Sequence, residues 1–92
     1  MVDTPYSVLK KTPARYRTVH FQQIKEAGGK FAMLTCYDAM TAAIFDDAGI
    51  ETLLIGDSLG NVVQGQNSTL GVTMDDMITF SKAVVAGTER AL

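Results

Sequence analysis

Hydrophobic and polar positions change rhythm along this chain. Residues 1–17 carry two prolines (Pro5, Pro13), scattered basic residues and no apolar period, the pattern of an extended lead-in. From Thr18 the rhythm becomes helical. Phe21 and Ile24 stand three apart on one face, Thr18 can cap the segment and Gly28-Gly29 can end it. Residues 30–35, KFAMLT, form an apolar run too short for a helix, which predicts a strand buried on both faces. Asp38 then caps a helix in which Met40, Ala43, Ile44 and Ala48 share a face and which Gly49 ends. Residues 51–55, ETLLI, predict a second buried strand. The glycine-rich and polar run GNVVQGQNSTLG reads as a loop. Thr73 caps a third helix, with Asp75 and Asp76 in the first turn, where acids favour the helix dipole. Met74, Met77, Ile78, Ser81 and Val85 share a face of it, and Gly87 either ends or weakens it. Met33, Met40, Met74 and Met77 read as strand and helix core.

The order helix, strand, helix, strand, loop, helix predicts an α/β fold with a parallel sheet and right-handed crossovers. The strand runs start about 21 residues apart, a tight βα repeat. Two parallel strands cannot stand alone as a sheet, because both have unpaired edges. The pattern therefore reads as the first part of a larger fold such as a (β/α)8 barrel, which needs roughly 250 residues. The expected division is a lead-in over 1–17 and, over 18–92, the first part of one barrel domain.

Composition narrows the class. The chain has 92 residues, 47 % hydrophobic and 20 % charged, which excludes a disordered tail, a collagen-like repeat and a disulfide scaffold. A net charge of −2 gives no electrostatic reason to expect nucleic acid or an anionic membrane as partner. One cysteine cannot form an internal disulfide, which suits a reducing compartment. MVDTPYSVLKK has no signal-peptide core and no run approaches a membrane span, so the expectation is a soluble cytoplasmic chain.

The most informative stretch is IGDSLGNVVQGQNSTLGVT. Asp57 and Ser58 follow a strand at its C-terminal end, the edge where α/β sheets and barrels bind ligands. A lone carboxylate there suits magnesium, which keeps several waters and uses one or two carboxylates plus substrate oxygens. Ser58 offers a hydroxyl and a backbone N–H to a substrate anion. The plainer reading is that Asp57 and Ser58 only start a turn, which both residue types do well. Gly56-Asp57-Ser58-Leu59 also matches the nucleophile block of the GDSL hydrolases, with Ser58 as nucleophile. Such a serine needs a histidine base, and the single histidine is His20, before the first strand. Thr35 and Tyr37 lie on the same rim as Asp57 and can line a pocket. Cys36 reads as a small buried hydrophobe, since no activating base is visible. Gly56, Gly60 and Gly65 do not have dinucleotide-fingerprint spacing.

The runs LLIGDSLGNVVQGQNSTLGVTMDDM and KFAMLTCYDAMTAAIFDDAGI closely resemble the ketopantoate hydroxymethyltransferase (3-methyl-2-oxobutanoate hydroxymethyltransferase) family over residues 18–92. The resemblance implies a (β/α)8 barrel with an N-terminal helix closing its bottom, assembled into a homo-oligomer, commonly a decamer. It implies transfer of a hydroxymethyl group from 5,10-methylenetetrahydrofolate to 3-methyl-2-oxobutanoate, giving 2-dehydropantoate on the route to pantothenate and coenzyme A. Mg2+ would chelate the keto acid. Asp57 matches the family's first magnesium aspartate, and Asp57 with Ser58 its keto-acid contact. The second metal aspartate and the glutamate base would lie beyond residue 92, so the resemblance implies that this chain alone is an incomplete enzyme. Gln66, Asn67 and Gly71 depart mildly from the family pattern. A related group, the magnesium-dependent barrels of the phosphoenolpyruvate mutase and isocitrate lyase kind, also binds 2-oxo acids.

Overall fold

The computed structural model describes Leu9 and residues 12–92. Most of the expected lead-in over 1–17 lies outside the described residues. The elements are α1 (Thr18–Glu26), β1 (Met33–Thr35), α2 (Ala39–Asp47), β2 (Thr52–Leu54), α3 (Leu59–Val62), a 3-10 turn (Thr69–Gly71) and α4 (Met74–Gly87). The β and α elements alternate as expected. α3 and the 3-10 turn sit inside the segment expected to be loop. Its glycines and polar residues hide a turn of helix that buries Leu59 and Gly60.

Local chemistry sets the helix ends. Asp38, in extended conformation, accepts from the Thr41 backbone N–H at 2.7 Å and so caps α2. Thr73 and Asp76 form a reciprocal capping box on α4. These N–H donors, from Thr41 and from Thr73 respectively, hold the Asp38 and Asp76 carboxyls below their ordinary range. Thr18 is the first residue of α1 and does not cap it. His20 Nδ1 accepts the Arg17 N–H at 2.8 Å instead. Gly28 and Gly49, both with positive φ, end α1 and α2. In each, the two N–H groups that follow the helix return to carbonyls of its last turn, the Schellman arrangement.

β1 and β2 pair in parallel, Met33 opposite Thr52, Leu34 opposite Leu53 and Thr35 opposite Leu54. The repeat is thus 19 residues rather than 21. A third position is occupied beside β2. Leu53 N–H donates to the Leu92 carbonyl and Leu92 N–H donates to the Glu51 carbonyl, the parallel-ladder pattern. Thr52 Oγ1 also donates to that Leu92 carbonyl. Chain order and spatial order therefore agree across β1, β2 and Leu92.

Helices α2 and α4 pack against each other, and Ala42 and Val84 bring them onto the sheet face that carries Leu53. The core there comprises Cys36, Ala42, Leu53, Val84 and Ala91, with Phe45, Ile50 and Ile55 against it. The other sheet face is open at Met33, Thr35 and Leu54, which corrects two expectations. β1 is exposed along its whole length instead of buried on both faces: no described element covers Met33 and Thr35, and Leu34, beside the buried Leu53 on the packed face, is itself 36 % exposed. Three of the four methionines expected in the core are exposed, Met33 at 55 %, Met40 at 78 % and Met74 at 72 %, and Met77 is half-buried. α2 turns Ala42 and Asp46 inward, so the face of Met40 and Ile44 looks out. α4 turns Val84 inward, so the face of Met74, Ile78 and Val85 looks out. In β2, Thr52 and Leu53 are buried but Leu54 is exposed.

α1 lies at the N-terminal ends of the strands. Phe21 packs on Phe31, just before β1, with centroids 4.6 Å apart, and Tyr16 stacks on Phe21. Ile24 is fully buried, as its place on the Phe21 face predicts. Among the described residues no helix is long and apolar enough to cross a membrane.

The turn after α4 is locked from two sides. Asp46 is buried, and its carboxylate accepts backbone N–H groups of Glu89, Arg90 and Ala91 at 3.0, 3.0 and 2.7 Å. Arg15 donates to Thr88 Oγ1 and to the Thr88 and Ala91 carbonyls. Burial alone would raise the Asp46 carboxyl. The three N–H donors and the Arg90 charge outweigh it and hold the group below its ordinary value. A lowered folded-state value means this stability is present above the unfolded carboxylate range, and is lost as pH falls through the folded value. Asp46→Asn should therefore lower stability at pH 7 by about 2–3 kcal/mol and lose part of the wild-type acid dependence below about pH 4, read by urea unfolding at pH 7 and pH 3. Gly87 ends α4, and a Cβ there would overlap the Ala39 carbonyl. Gly87→Ala should cost about 1–3 kcal/mol in the same measurement, despite the better helix propensity of alanine.

Candidate functional site

Because β1 and β2 are parallel, the loops that leave their C-terminal ends emerge side by side. Cys36 N–H extends the ladder, donating to the Leu54 carbonyl at 3.0 Å. Tyr37 follows it, between the buried Cys36 and the capping Asp38. From the second strand the chain runs Ile55, Gly56, Asp57, Ser58 and enters α3. Tyr37 Oη and Ser58 Oγ share a hydrogen bond of 2.5 Å that ties the two loops together. Both residues are half-buried.

After α1, five polar residues stand at or beside the start of a helix or 3-10 turn, and the use of their side chains separates them. Asp38, Ser68 and Thr73 each spend a side-chain oxygen on the N–H of the turn that follows. Ser58 occupies the N-cap of α3 but makes no such bond, and its hydroxyl goes to Tyr37. Asp57 contributes only its backbone carbonyl, which accepts from Gly60 N–H at 3.0 Å. Among the described residues nothing is bonded to its exposed carboxylate. These two side chains are thus not consumed by turn formation, the plainer of the two roles open to them.

The remaining candidates divide clearly. Thr35 is exposed on the open sheet face, paired across the ladder with Leu54. Cys36 is buried in the core with its Sγ 3.5 Å from the Asp38 carbonyl, the small-hydrophobe role expected of it. His20 sits on α1 at the other end of the strands, engaged by Arg17, so Ser58 has no imidazole partner among the described residues. No three His, Cys, Asp or Glu side chains gather at one point among the described residues. Gly60 packs closely on the loop that follows α3, where a Cβ would lie 2.7 Å from Val72 Cγ2. That holds the 3-10 turn against α3 beside the site. The Tyr37–Ser58 contact is what sequence reading missed. Its signal was present in the parallel repeat, which sends the exits of both strands to one rim.

A sequence model of the family described as ketopantoate hydroxymethyltransferase matches residues 15–92. The chain belongs to the ketopantoate hydroxymethyltransferase family. Among its curated relatives is the 3-methyl-2-oxobutanoate hydroxymethyltransferase of Arthrobacter sp. (strain FB24), 51 % identical over 97 % of this chain and 30 % of the relative. The proteins of the same name from Corynebacterium efficiens and Nitrosomonas europaea are 54 % and 56 % identical, over 85 % and 75 % of this chain and 29 % and 26 % of the relatives. The chain spans about 30 % of the length of the ketopantoate hydroxymethyltransferase relatives it matches. Ser58 has no imidazole beside it among the described residues to activate it as an acyl nucleophile. A fluorophosphonate probe should leave Ser58 unlabelled, as read by peptide mass spectrometry, whereas an activated serine would react within minutes.

Proposed function

We propose that this chain supplies the first βα units of an enzyme that transfers a hydroxymethyl group from 5,10-methylenetetrahydrofolate to 3-methyl-2-oxobutanoate, forming 2-dehydropantoate. Family membership and the names of the relatives support the reaction. The parallel order of β1, β2 and Leu92 is consistent with the opening of a (β/α)8 barrel, with α1 across its bottom. In this reading the assembled enzyme is a cytoplasmic homo-oligomer.

The observation that carries the site assignment is the pair left out of helix capping at the C-terminal rim: a bare Asp57 carboxylate beside a Ser58 hydroxyl bonded to Tyr37 instead of the α3 backbone. A single free carboxylate is a fitting donor for Mg2+, which accepts one or two carboxylates and completes its shell with water and ligand oxygens. Asp57 would hold the metal, and both residues would bind the keto acid. Bound magnesium would act as a Lewis acid toward the keto acid's oxygens. Ser58 orients the acid's anionic oxygens and so fixes the face of the carbon that reacts. In this reading the base that removes the adjacent proton corresponds to the part of the relatives outside these residues.

The assignment is tested in a hybrid joining residues 15–92 of this chain to the remaining length of the Corynebacterium efficiens relative. Asp57→Ala in that hybrid should lower turnover at least 100-fold at any magnesium concentration, with an unchanged circular dichroism spectrum. Retained magnesium-dependent activity would overturn the role of Asp57.

A further inference from the structure

The hydrogen bond between Tyr37 and Ser58 has a direction that its surroundings decide. A carboxylate has acceptors and no donor, so a serine that binds a keto acid's anionic oxygen must give it the one hydrogen it has. Ser58 Oγ then has only lone pairs to offer Tyr37, and the phenol becomes the donor. Acidity agrees, since a phenol is a stronger acid than an alkyl hydroxyl. Two hydrogen bonds in series polarise one another, which strengthens the second. The backbone of Tyr37 is held on both sides, by Cys36 in the ladder and core and by Asp38 in the α2 cap. Its phenol is therefore delivered from the β1 exit to the hydroxyl that α3 leaves out of its cap.

We propose that Tyr37 is a positioning residue: it donates its phenol hydrogen to Ser58 Oγ and thereby aims the Ser58 hydroxyl hydrogen at an anionic oxygen of a small 2-oxo acid. This rests on the reading of Ser58 as a keto-acid contact and adds the residue that orients it. Tyr37 acts through Ser58 without touching the substrate. It works chiefly on binding and leaves the proton-transfer groups alone.

The test uses the hybrid enzyme described above. Tyr37→Phe keeps the ring and removes only the hydroxyl. It should raise KM for 3-methyl-2-oxobutanoate about three- to tenfold, the range of one hydrogen bond, and change kcat less than about twofold, with an unchanged thermal midpoint. Ser58→Ala should raise KM at least as much, and Tyr37→Phe added to it should have no further effect. Equal KM effects of Tyr37→Phe with and without Ser58 would overturn the inference, showing that the tyrosine acts independently of the serine. An unchanged KM in Tyr37→Phe beside a raised KM in Ser58→Ala would overturn it while sparing the keto-acid contact. An unchanged KM in Ser58→Ala would remove that contact and this inference together.

Discussion

The fold hangs on the carboxylate of Asp46. Alternating βα units need each helix to hand the chain back to the sheet in register, and the hand-back after α4 is a short turn with three consecutive backbone N–H groups to satisfy. Asp46, projecting from α2, takes all three. Bonding to an ionised carboxylate is stronger than bonding to a neutral acceptor, and burial strengthens it further. The result joins α2 to the end of α4 and delivers Leu92 to the free edge of β2. Arg15 grips the same turn from outside, so the segment before α1 is tied to it as well. A buried acid that looks out of place on the inner face of α2 is thus the connector between two βα units.

The same logic explains the site. Parallel strands send their exits to one rim, and the short β1–β2 ladder, extended by the bond from Cys36 to Leu54, holds those exits close. At most of its turn starts the chain spends polar side chains on backbone N–H groups. At the β2 exit it does not: the Asp57 carboxylate bonds nothing among the described residues, and the Ser58 hydroxyl goes to Tyr37. Gly60 lets the following loop pack closely on α3 and keeps this exit compact.

Much of this was legible beforehand because it is local. Asp38 and Thr73 as caps, Gly28 and Gly49 as helix ends and the Phe21–Ile24 face follow from interactions spanning three or four residues. What failed was the assignment of inside and outside. Met40, Ile44, Met74, Ile78 and Val85 form apolar stripes at helical spacing, yet they face outward. A stripe states that a face is apolar, and only the neighbouring elements decide whether it is covered. Here α4 meets α2 through Val84 and the bare backbone of Gly87, and the stripe is left on the other side. β1 was misjudged for the same reason: an apolar run in a parallel sheet is buried only where both faces are covered. The role of Asp46 was invisible too, since its partners lie 43 to 45 residues away.

By itself the sequence determined the alternation of β and α elements, most of the helix ends and the family, and it singled out Asp57 and Ser58 as candidates, because each rests on short-range chemistry or on a long matching run. Tertiary structure decided which apolar faces are covered, that Ser58 is bonded by Tyr37 rather than spent as a cap, and that Asp46 closes the α4 turn. Those outcomes depend on pairs of groups distant in the chain, whose meeting is set by strand register and helix packing, which no local pattern encodes.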